Sequence, residues 1–346
     1  MTETVATGLQ ARLADVDARL IALLTERIDL LRNSGERLPV WQQDFSAAGN
    51  LAAPEIARDA RAWLLHAANI SSKHTEQREP IVFLGPVYSY SYLAAVKHFG
   101  MSADLVPVTT IAAAFDEIDR HQAHFAVVPI ENSTDGRIVD TLGRFARSPA
   151  QICGEVLLPI HHCLLGRCTR AAVREVHSKP QALSQCRNWL AQHLPDVRLI
   201  EVASTATAAA TAASQHGVAA IASREAGIHH GCQVIDENIE DNQQNVTRFA
   251  IIGDRPCPPT GADKTSLMMQ LKHEPGALAD AMVTFQQAHV NLTWIESFPL
   301  PNRPNEYLFF VELDGHQATP TVAAALAALQ KQTQRLDVLG SYPRGT

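Results

Sequence analysis

At 346 residues, 46% of them hydrophobic, the chain is long enough for two or three domains with cores of their own. A formal net charge of -7, with lysine and arginine spread thinly and no interleaved aromatic platform, excludes a nucleic-acid-binding face. The acidic, amphipathic N-terminus has neither the basic start nor the unbroken apolar core a signal peptide needs, and no apolar run reaches the ~18 residues of a membrane span, so we expect a cytoplasmic protein with neither nucleic acid nor membrane as partner.

Leu9, Leu13, Val16, Leu20, Leu23, Leu24 and Leu31 recur at helical spacing, and an alanine-rich helical stretch follows from about Pro54 to Ala68. The first zone therefore reads as all-helical. From Ile81 the texture changes to short apolar runs (81–84, 125–128, 218–221, 249–252) alternating with helical patterns, which predicts an α/β architecture. A turn-rich linker opens at Asp254 and carries three prolines by Pro259. The tail then reads strand (265–271), helix (276–288), strands (291–298 and 307–313), helix (320–332), strand (335–340). That βαββαβ order is the ferredoxin-like arrangement. Six cysteines, Cys153, Cys163, Cys168, Cys186, Cys232 and Cys257, lack CxxC pairing and zinc-type spacing. We read them as small buried apolar groups, and expect no disulfide, no metal and no cofactor.

The α/β zone repeats one local device, a strand running into polar residues that begin a helix. Glu131-Asn132-Ser133-Thr134 follow strand 125–128 and can cap the helix containing Ile138, Leu142 and Phe145. Ser178-Lys179-Pro180-Gln181 precede helix 182–194, Ser204-Thr205 precede helix 206–213, and Ser89-Tyr90-Ser91 follow Leu84-Gly85-Pro86. Unpaired N–H groups at such starts favour anions and face the strand ends where open α/β sheets bind ligands. Four together predict a polar cleft.

The runs 85–91, 129–133, 178–181, 204–205 and Asn245-Val246-Thr247-Arg248-Phe249 resemble, in order and approximate spacing, the signature segments of prephenate dehydratase. The resemblance covers residues 81–253 and implies two α/β lobes like a periplasmic binding protein, with prephenate between them. It places Thr247 at the reacting hydroxyl of the substrate, as proton donor or positioner, and Glu131 is our candidate for the relay that supplies the proton. Ser89, Asn132, Ser133, Ser178, Gln181, Ser204, Thr205 and Asn245 become hydrogen-bonding groups for the carboxylates and side-chain carbonyl. Arg248 has two readings: it pairs with a substrate carboxylate, or, since strand neighbours point to opposite faces, it turns away into a structural ion pair. Phe249 would share the side of Thr247 and pack on the substrate ring or in the core. Tyr88 and Lys179 depart from the glycine and histidine usual in the family.

The tail resembles an ACT domain, a small amino-acid-sensing module, with Gly276-Ala277-Leu278 opening its first helix and Glu296-Ser297-Phe298 in the place of a Glu-Ser-Arg element. That implies phenylalanine as effector. The N-terminal helices resemble a helical chorismate mutase domain, but Gln10 stands where an arginine belongs and Arg27 is left as the one matching cation, so we expect a degenerate mutase site and a dimerisation role. The expected layout is a mutase-like helical domain over 1–78, a dehydratase domain over 79–253, a linker over 254–263 and an ACT domain over 264–346, in a homodimer. Two other readings stand beside this one: a bifunctional mutase-dehydratase, and a non-catalytic amino-acid or dicarboxylate sensor.

Overall fold

The computed structural model describes residues 2–34, 54–74, 80–254, 256–299 and 307–345. Parts of the expected helical domain and linker, among them 35–53, 75–79 and Arg255, lie outside the described residues. The chain divides into two compact units, residues 1–80 with 96–104, and residues 81–95 with 105–346.

The first unit is helical. Helix α1 spans Thr2–Asn33 and α2 spans Pro54–His74. The Arg32 guanidinium donates to the His74 carbonyl at 3.1 and 3.2 Å, tying the ends of the two helices. Asn69, buried on α2, donates to the Phe99 carbonyl at 2.5 Å, and Ser102 meets His66 Nδ1 at 2.9 Å. Segment 96–104 therefore joins the helical unit, although the sequence pattern assigns it to the α/β zone. Leu9, Leu13, Val16, Leu20 and Leu23 are all exposed within this unit, while Leu24 and Leu31 are half-buried.

The second unit begins with β1 (Ile81–Leu84), α3 (Tyr90–Phe99), β2 (Leu105–Val108), α4 (Ile111–Asp119), β3 (Phe125–Asn132), β4 (Gly136–Arg137), α5 (Val139–Phe145) and β5 (Gln151–Pro159). A second group follows: β6 (Cys163–Gly166), β7 (Glu175–Ser178), α6 (Pro180–Gln185), α7 (Arg187–His193), β8 (Arg198–Glu201), α8 (Thr205–Ser214), β9 (Val218–Ala222), α9 (Arg224–His230) and β10 (Gln233–Asp236). Strand β11 (Val246–Gly253) then returns to the first sheet, whose order is β2-β1-β3-β11-β5 with β4 on β3. The second sheet has the order β10-β6-β9-β7-β8. Thus the chain crosses between sheets twice, and Ile160 N–H donates to the Asn245 carbonyl at 2.8 Å where the two crossings meet.

Two local expectations are corrected. Residues 131–134 do not cap α5, because β3 runs on through Asn132 and turns into β4, and the residue before α5, Ile138, has no side chain able to cap. The single helix expected over 182–194 is two, broken at Cys186.

The tail is β12 (Asp263–Leu271), α10 (Ala277–Gln287), β13 (Leu292–Pro299), β14 (Tyr307–Asp314), α11 (Pro320–Gln330) and β15 (Thr333–Pro343), in sheet order β13-β14-β12-β15. This is the expected βαββαβ connectivity. Strand alternation gives the sheet two apolar faces. Leu267, Met269, Val311 and Leu313 pack under α10 and α11, whereas Met268, Leu308, Phe310 and Tyr342 join a core with Phe115, Ile130, Leu142, Phe145 and Ile152 of the first sheet and its helices.

That junction requires glycine at 340. A Cβ built there would stand 2.1 Å from the Ile152 carbonyl oxygen, and the backbone has φ +148°. Gly340→Ala is expected to destabilise the protein by at least about 1–3 kcal/mol, the range for overpacking, because the obstacle is backbone rather than a side chain that can swing away. Denaturant unfolding checks this, and an unchanged midpoint contradicts it.

Candidate active site

Antiparallel pairing of β11 with β3 sets Thr247 opposite Asn132 and Arg248 opposite Glu131. Directly opposed residues share a face and successive residues alternate, so the two pairs occupy opposite faces of the sheet.

On one face, Asn132 Nδ2 donates to Thr247 Oγ1 at 2.8 Å and to Asn245 Oδ1 at 2.9 Å. The orientation of this amide is fixed, because Asn132 Oδ1 accepts the backbone N–H groups of Thr134 (2.9 Å) and Asp135 (3.0 Å). Thr247 Oγ1 is therefore an acceptor toward Asn132, and its own hydrogen is left to donate elsewhere. Ser133 Oγ accepts from Val246 N–H at 2.9 Å and stands 3.4 Å from Asn245 Oδ1, closing the cluster. Asn245 is buried, and its Nδ2 has no hydrogen-bond partner among the described residues. An unmade buried donor costs about 1–3 kcal/mol, a penalty that a ligand oxygen would remove.

The opposite face holds charge. Arg248 Nη1 lies 2.6 and 2.8 Å from the Glu312 carboxylate oxygens and 3.3 Å from Glu155, and Arg248 Nε lies 3.1 Å from Glu131. Lys264 Nζ adds contacts to Glu155 at 3.0 Å and Glu312 at 3.5 Å, and the Trp294 ring lies 4.5 Å from the guanidinium carbon. Burial works against the charge on Arg248, but the field of Glu312 and its hydrogen bonds, aided by Glu155, outweigh it and raise the guanidinium pKa. Of the two sequence readings of Arg248, the structural ion pair is the one found. Glu131 is corrected with it: its carboxylate sits on Arg248, across the sheet from Thr247, so it is not placed as a relay to that hydroxyl. Phe249 is fully buried and takes the core reading.

The remaining sequence candidates are spread along the helix starts. Ser89 Oγ accepts from Tyr92 N–H at 3.3 Å and Ser204 Oγ from Thr207 N–H at 3.0 Å, so both cap helices as the pattern predicts, and Thr205 is buried beside Ser204. Ser178 Oγ is committed to the Ile221 carbonyl at 2.6 Å, a tie between β7 and β9. Gln181 donates to the Asp135 carboxylate.

Asp135 belongs to a chain of contacts that sequence reasoning missed. Gln185 Nε2 donates to Asp135 at 2.7 Å, Gln185 Oε1 meets His162 Nε2 at 2.9 Å, and His162 Nδ1 meets the Tyr90 hydroxyl at 2.9 Å. With the Gln185 amide nitrogen held by a carboxylate, its oxygen must accept, which assigns the hydrogen of His162 to Nε2. Burial lowers the pKa of His162 and keeps the ring neutral, and the buried Glu240 carboxylate accepts the backbone N–H of His162 at 2.8 Å. The neighbouring pair His161-His162 was the available sequence signal, but nothing in the pattern joins it to Tyr90 or Asp135.

Residues 81–257 match the family model described as prephenate dehydratase. The chain belongs to the prephenate dehydratase family. It is 34% identical to a bifunctional chorismate mutase/prephenate dehydratase of Aquifex aeolicus, over 97% of each chain. Among solved structures it resembles a prephenate dehydratase from Arthrobacter aurescens in complex with L-Phe (32% identity, TM-score 0.72, 77% of this chain and 90% of that one). It also resembles GqqA, described as a novel type of quorum quenching acylase (30% identity, TM-score 0.70, 77% and 98%). This membership agrees with the resemblance carried by residues 85–91, 129–133, 178–181, 204–205 and 245–249. No helix among the described residues is long and apolar enough to cross a membrane.

In this family member the tail reaches the dehydratase segment through Arg248. Arg248→Met leaves Glu312, 1% exposed, with the weaker Lys264 contact, and is expected to cost about 3 kcal/mol or more, the range for breaking a buried pair. Equilibrium unfolding measures this; a loss below about 0.5 kcal/mol, the scale of an ordinary surface change, contradicts it.

Proposed function

We propose that this chain is a prephenate dehydratase that removes carbon dioxide and water from prephenate to give phenylpyruvate, and that Thr247 acts on the departing hydroxyl. The observation that carries this is the fixed Asn132 amide, which turns the Thr247 oxygen into an acceptor and frees its hydrogen for the substrate. Ring aromatisation drives the reaction, so the protein has to align the leaving carboxylate with the leaving hydroxyl and stabilise charge on that oxygen. A donor aimed at developing charge is worth about 10²- to 10³-fold. Asn245 Nδ2 is the second spare donor, and Ser133, Ser204 and Thr205 are the groups we assign to the substrate carboxylates, with Ser89 and Gln181 at the rim of the cleft. Asn132, fixed by the Thr134 N–H, transfers no proton; it holds the alcohol in register. An acyl-transfer reading, which the name of one structural neighbour raises, needs a base on the threonine hydroxyl, and the contacts of Thr247 given above are to an amide.

Thr247→Val is expected to lower kcat by about 10²- to 10³-fold with the fold retained. Glu131→Gln, by contrast, is expected to leave kcat within a few-fold of the parent, since that carboxylate faces Arg248. Phenylpyruvate formation followed in steady state checks both. Near-normal turnover of Thr247→Val contradicts the assignment, and absence of turnover in the parent protein favours the sensor reading. Running prephenate and arogenate in parallel distinguishes these two related substrates.

We assign the tail, 264–346, as an ACT-type regulatory module after a linker at 254–263, the dehydratase to 79–253 and a mutase-like helical region to 1–78. Phenylalanine is the proposed effector, a reading supported by the Arthrobacter aurescens relative crystallised with L-Phe. Gly276, with φ +90° at the start of α10, leaves room for a carboxylate near Ala277 and Leu278. Glu296 and Phe298 face the dehydratase segment, on Arg137 (2.5 Å) and beside Gly143, and Ser297 faces the other way. In this reading Glu296 and Phe298 transmit the effector signal rather than touch the effector. The exposed leucines of α1 support a homodimer through the helical region, and a cytoplasmic site of action fits a step of phenylalanine biosynthesis. Mutase activity is a second reading. Gln10 in place of a cation weighs against it, whereas the Aquifex aeolicus relative, named bifunctional and matched over 97% of both chains, weighs for it. Incubation with chorismate decides: prephenate formation above the uncatalysed rate establishes a bifunctional enzyme, and none establishes a degenerate mutase site.

A further inference from the structure

Three of the six cysteines, Cys163, Cys186 and Cys232, are buried, as the sequence reading expects of all six, and burial pushes the Cys163 thiol up to about 11. Cys153, Cys168 and Cys257 are half-buried instead. Two of these meet although 104 positions separate them. Cys153 is the extra residue of a β-bulge in β5: Ile251 pairs with Gly154 and Ile252 with Ile152, so the register skips Cys153. Its Sγ lies over Gly253, the last residue of β11, where a Cβ would stand 3.1 Å from the sulfur. Beyond Gly253 the linker folds back, so that the Cys257 thiol donates to the carbonyl oxygen of Cys153 itself at 2.9 Å. The two thiols also share a side-chain hydrogen bond. Cys257 is held in this place from its other side, because its carbonyl accepts from His316 Nε2 at 3.0 Å. His316 Nδ1 accepts the Ala318 N–H at 3.0 Å, which assigns the ring hydrogen to Nε2. The Cys257 side chain is thus brought onto the backbone of Cys153, and neither residue is fully buried.

We propose that Cys153 and Cys257 are a redox-modification site, a thiol pair that closes to a reversible disulfide by exchange with a low-molecular-weight disulfide. The first nucleophile is Cys257, in the exposed linker. The hydrogen bond with Cys153 lowers its pKa against the opposing effect of burial, and the thiolate is the attacking form. Its sulfur attacks one sulfur of the small disulfide, breaks that S–S bond and releases one small thiol, leaving a mixed disulfide on Cys257. The Cys153 thiolate then attacks the Cys257 sulfur and expels the second small thiol. Two protein thiols lose two protons and two electrons; the small disulfide gains both and becomes two thiols. The new bond would fasten the linker that carries β12–β15 to the edge strand of the first sheet, without touching Thr247, Asn132 or Asn245.

The test uses the full chain in its native state, incubated with oxidised glutathione, then unfolded, alkylated and mapped by mass spectrometry. The expected result is a linked peptide pair containing Cys153 and Cys257, two fewer alkylated cysteines, and full reversal by dithiothreitol. Cys153→Ser and Cys257→Ser, both outside the catalytic cluster, are expected to keep basal turnover and to lose the cross-link. The proposal is overturned if both cysteines remain alkylatable after oxidation, if only glutathione adducts accumulate, or if the cross-link involves Cys168 or persists in either serine variant.

Discussion

The arrangement turns on one buried ion pair, Arg248 with Glu312 at 2.6 Å. Its guanidinium leaves β11 one residue after Thr247 and crosses out of the first sheet to a strand of the tail. Taking these charges out of water costs several kcal/mol for each ion, and a single contact rarely offsets that. The site spreads the load: Glu131 and Glu155 share Arg248, Lys264 spans Glu155 and Glu312, and Tyr342 and Ser266 donate to Glu312 at 3.2 and 3.1 Å. Such a network has one good geometry. Because the backbone of 248 is fixed by it, the backbone of 247 is fixed too, and the threonine is aimed to the other face by strand alternation alone.

A second constraint works along β3. The hairpin from Asn132 to Arg137 contributes a contact at nearly every position: Asn132 to Thr247, Ser133 to Val246, Asp135 to Gln185 of α6, and Arg137 to Glu296 of the tail. Movement of the tail against this hairpin would be felt at the Asn132 amide, and movement of α6 would be felt there through Asp135. The neutral His162 between Gln185 and Tyr90 extends the same line toward α3. The Thr247 cluster, helix α6 and the tail are thus tied to the same six residues of backbone.

Much of this was legible in the sequence where the signal is local. The βαββαβ tail, the helix caps at Ser89 and Ser204, and the grouping of Asn132, Ser133, Asn245 and Thr247 all follow from periodicity, turn chemistry or the family pattern. The role of Glu131 was not legible, because it depends on register. Pairing of Thr247 with Asn132 obliges Glu131 to face Arg248, and a shift of one residue would reverse every side chain. Sequence also treated 131–134 as a helix cap, since nothing local shows that β11 is present to extend β3 through Asn132. Likewise Gln181 and Ser178 looked free for a ligand, and long-range partners, Asp135 and the Ile221 carbonyl, claim them.

The dependence of the fold on the Arg248–Glu312 pair is tested most directly by a double-mutant cycle with Arg248→Met, Glu312→Leu and the two combined, each measured by equilibrium unfolding. A coupling energy of about 1.5 kcal/mol or more, with the double variant more stable than either single one, is the predicted result, because each single change strands a buried charge. Losses that simply add would contradict the account.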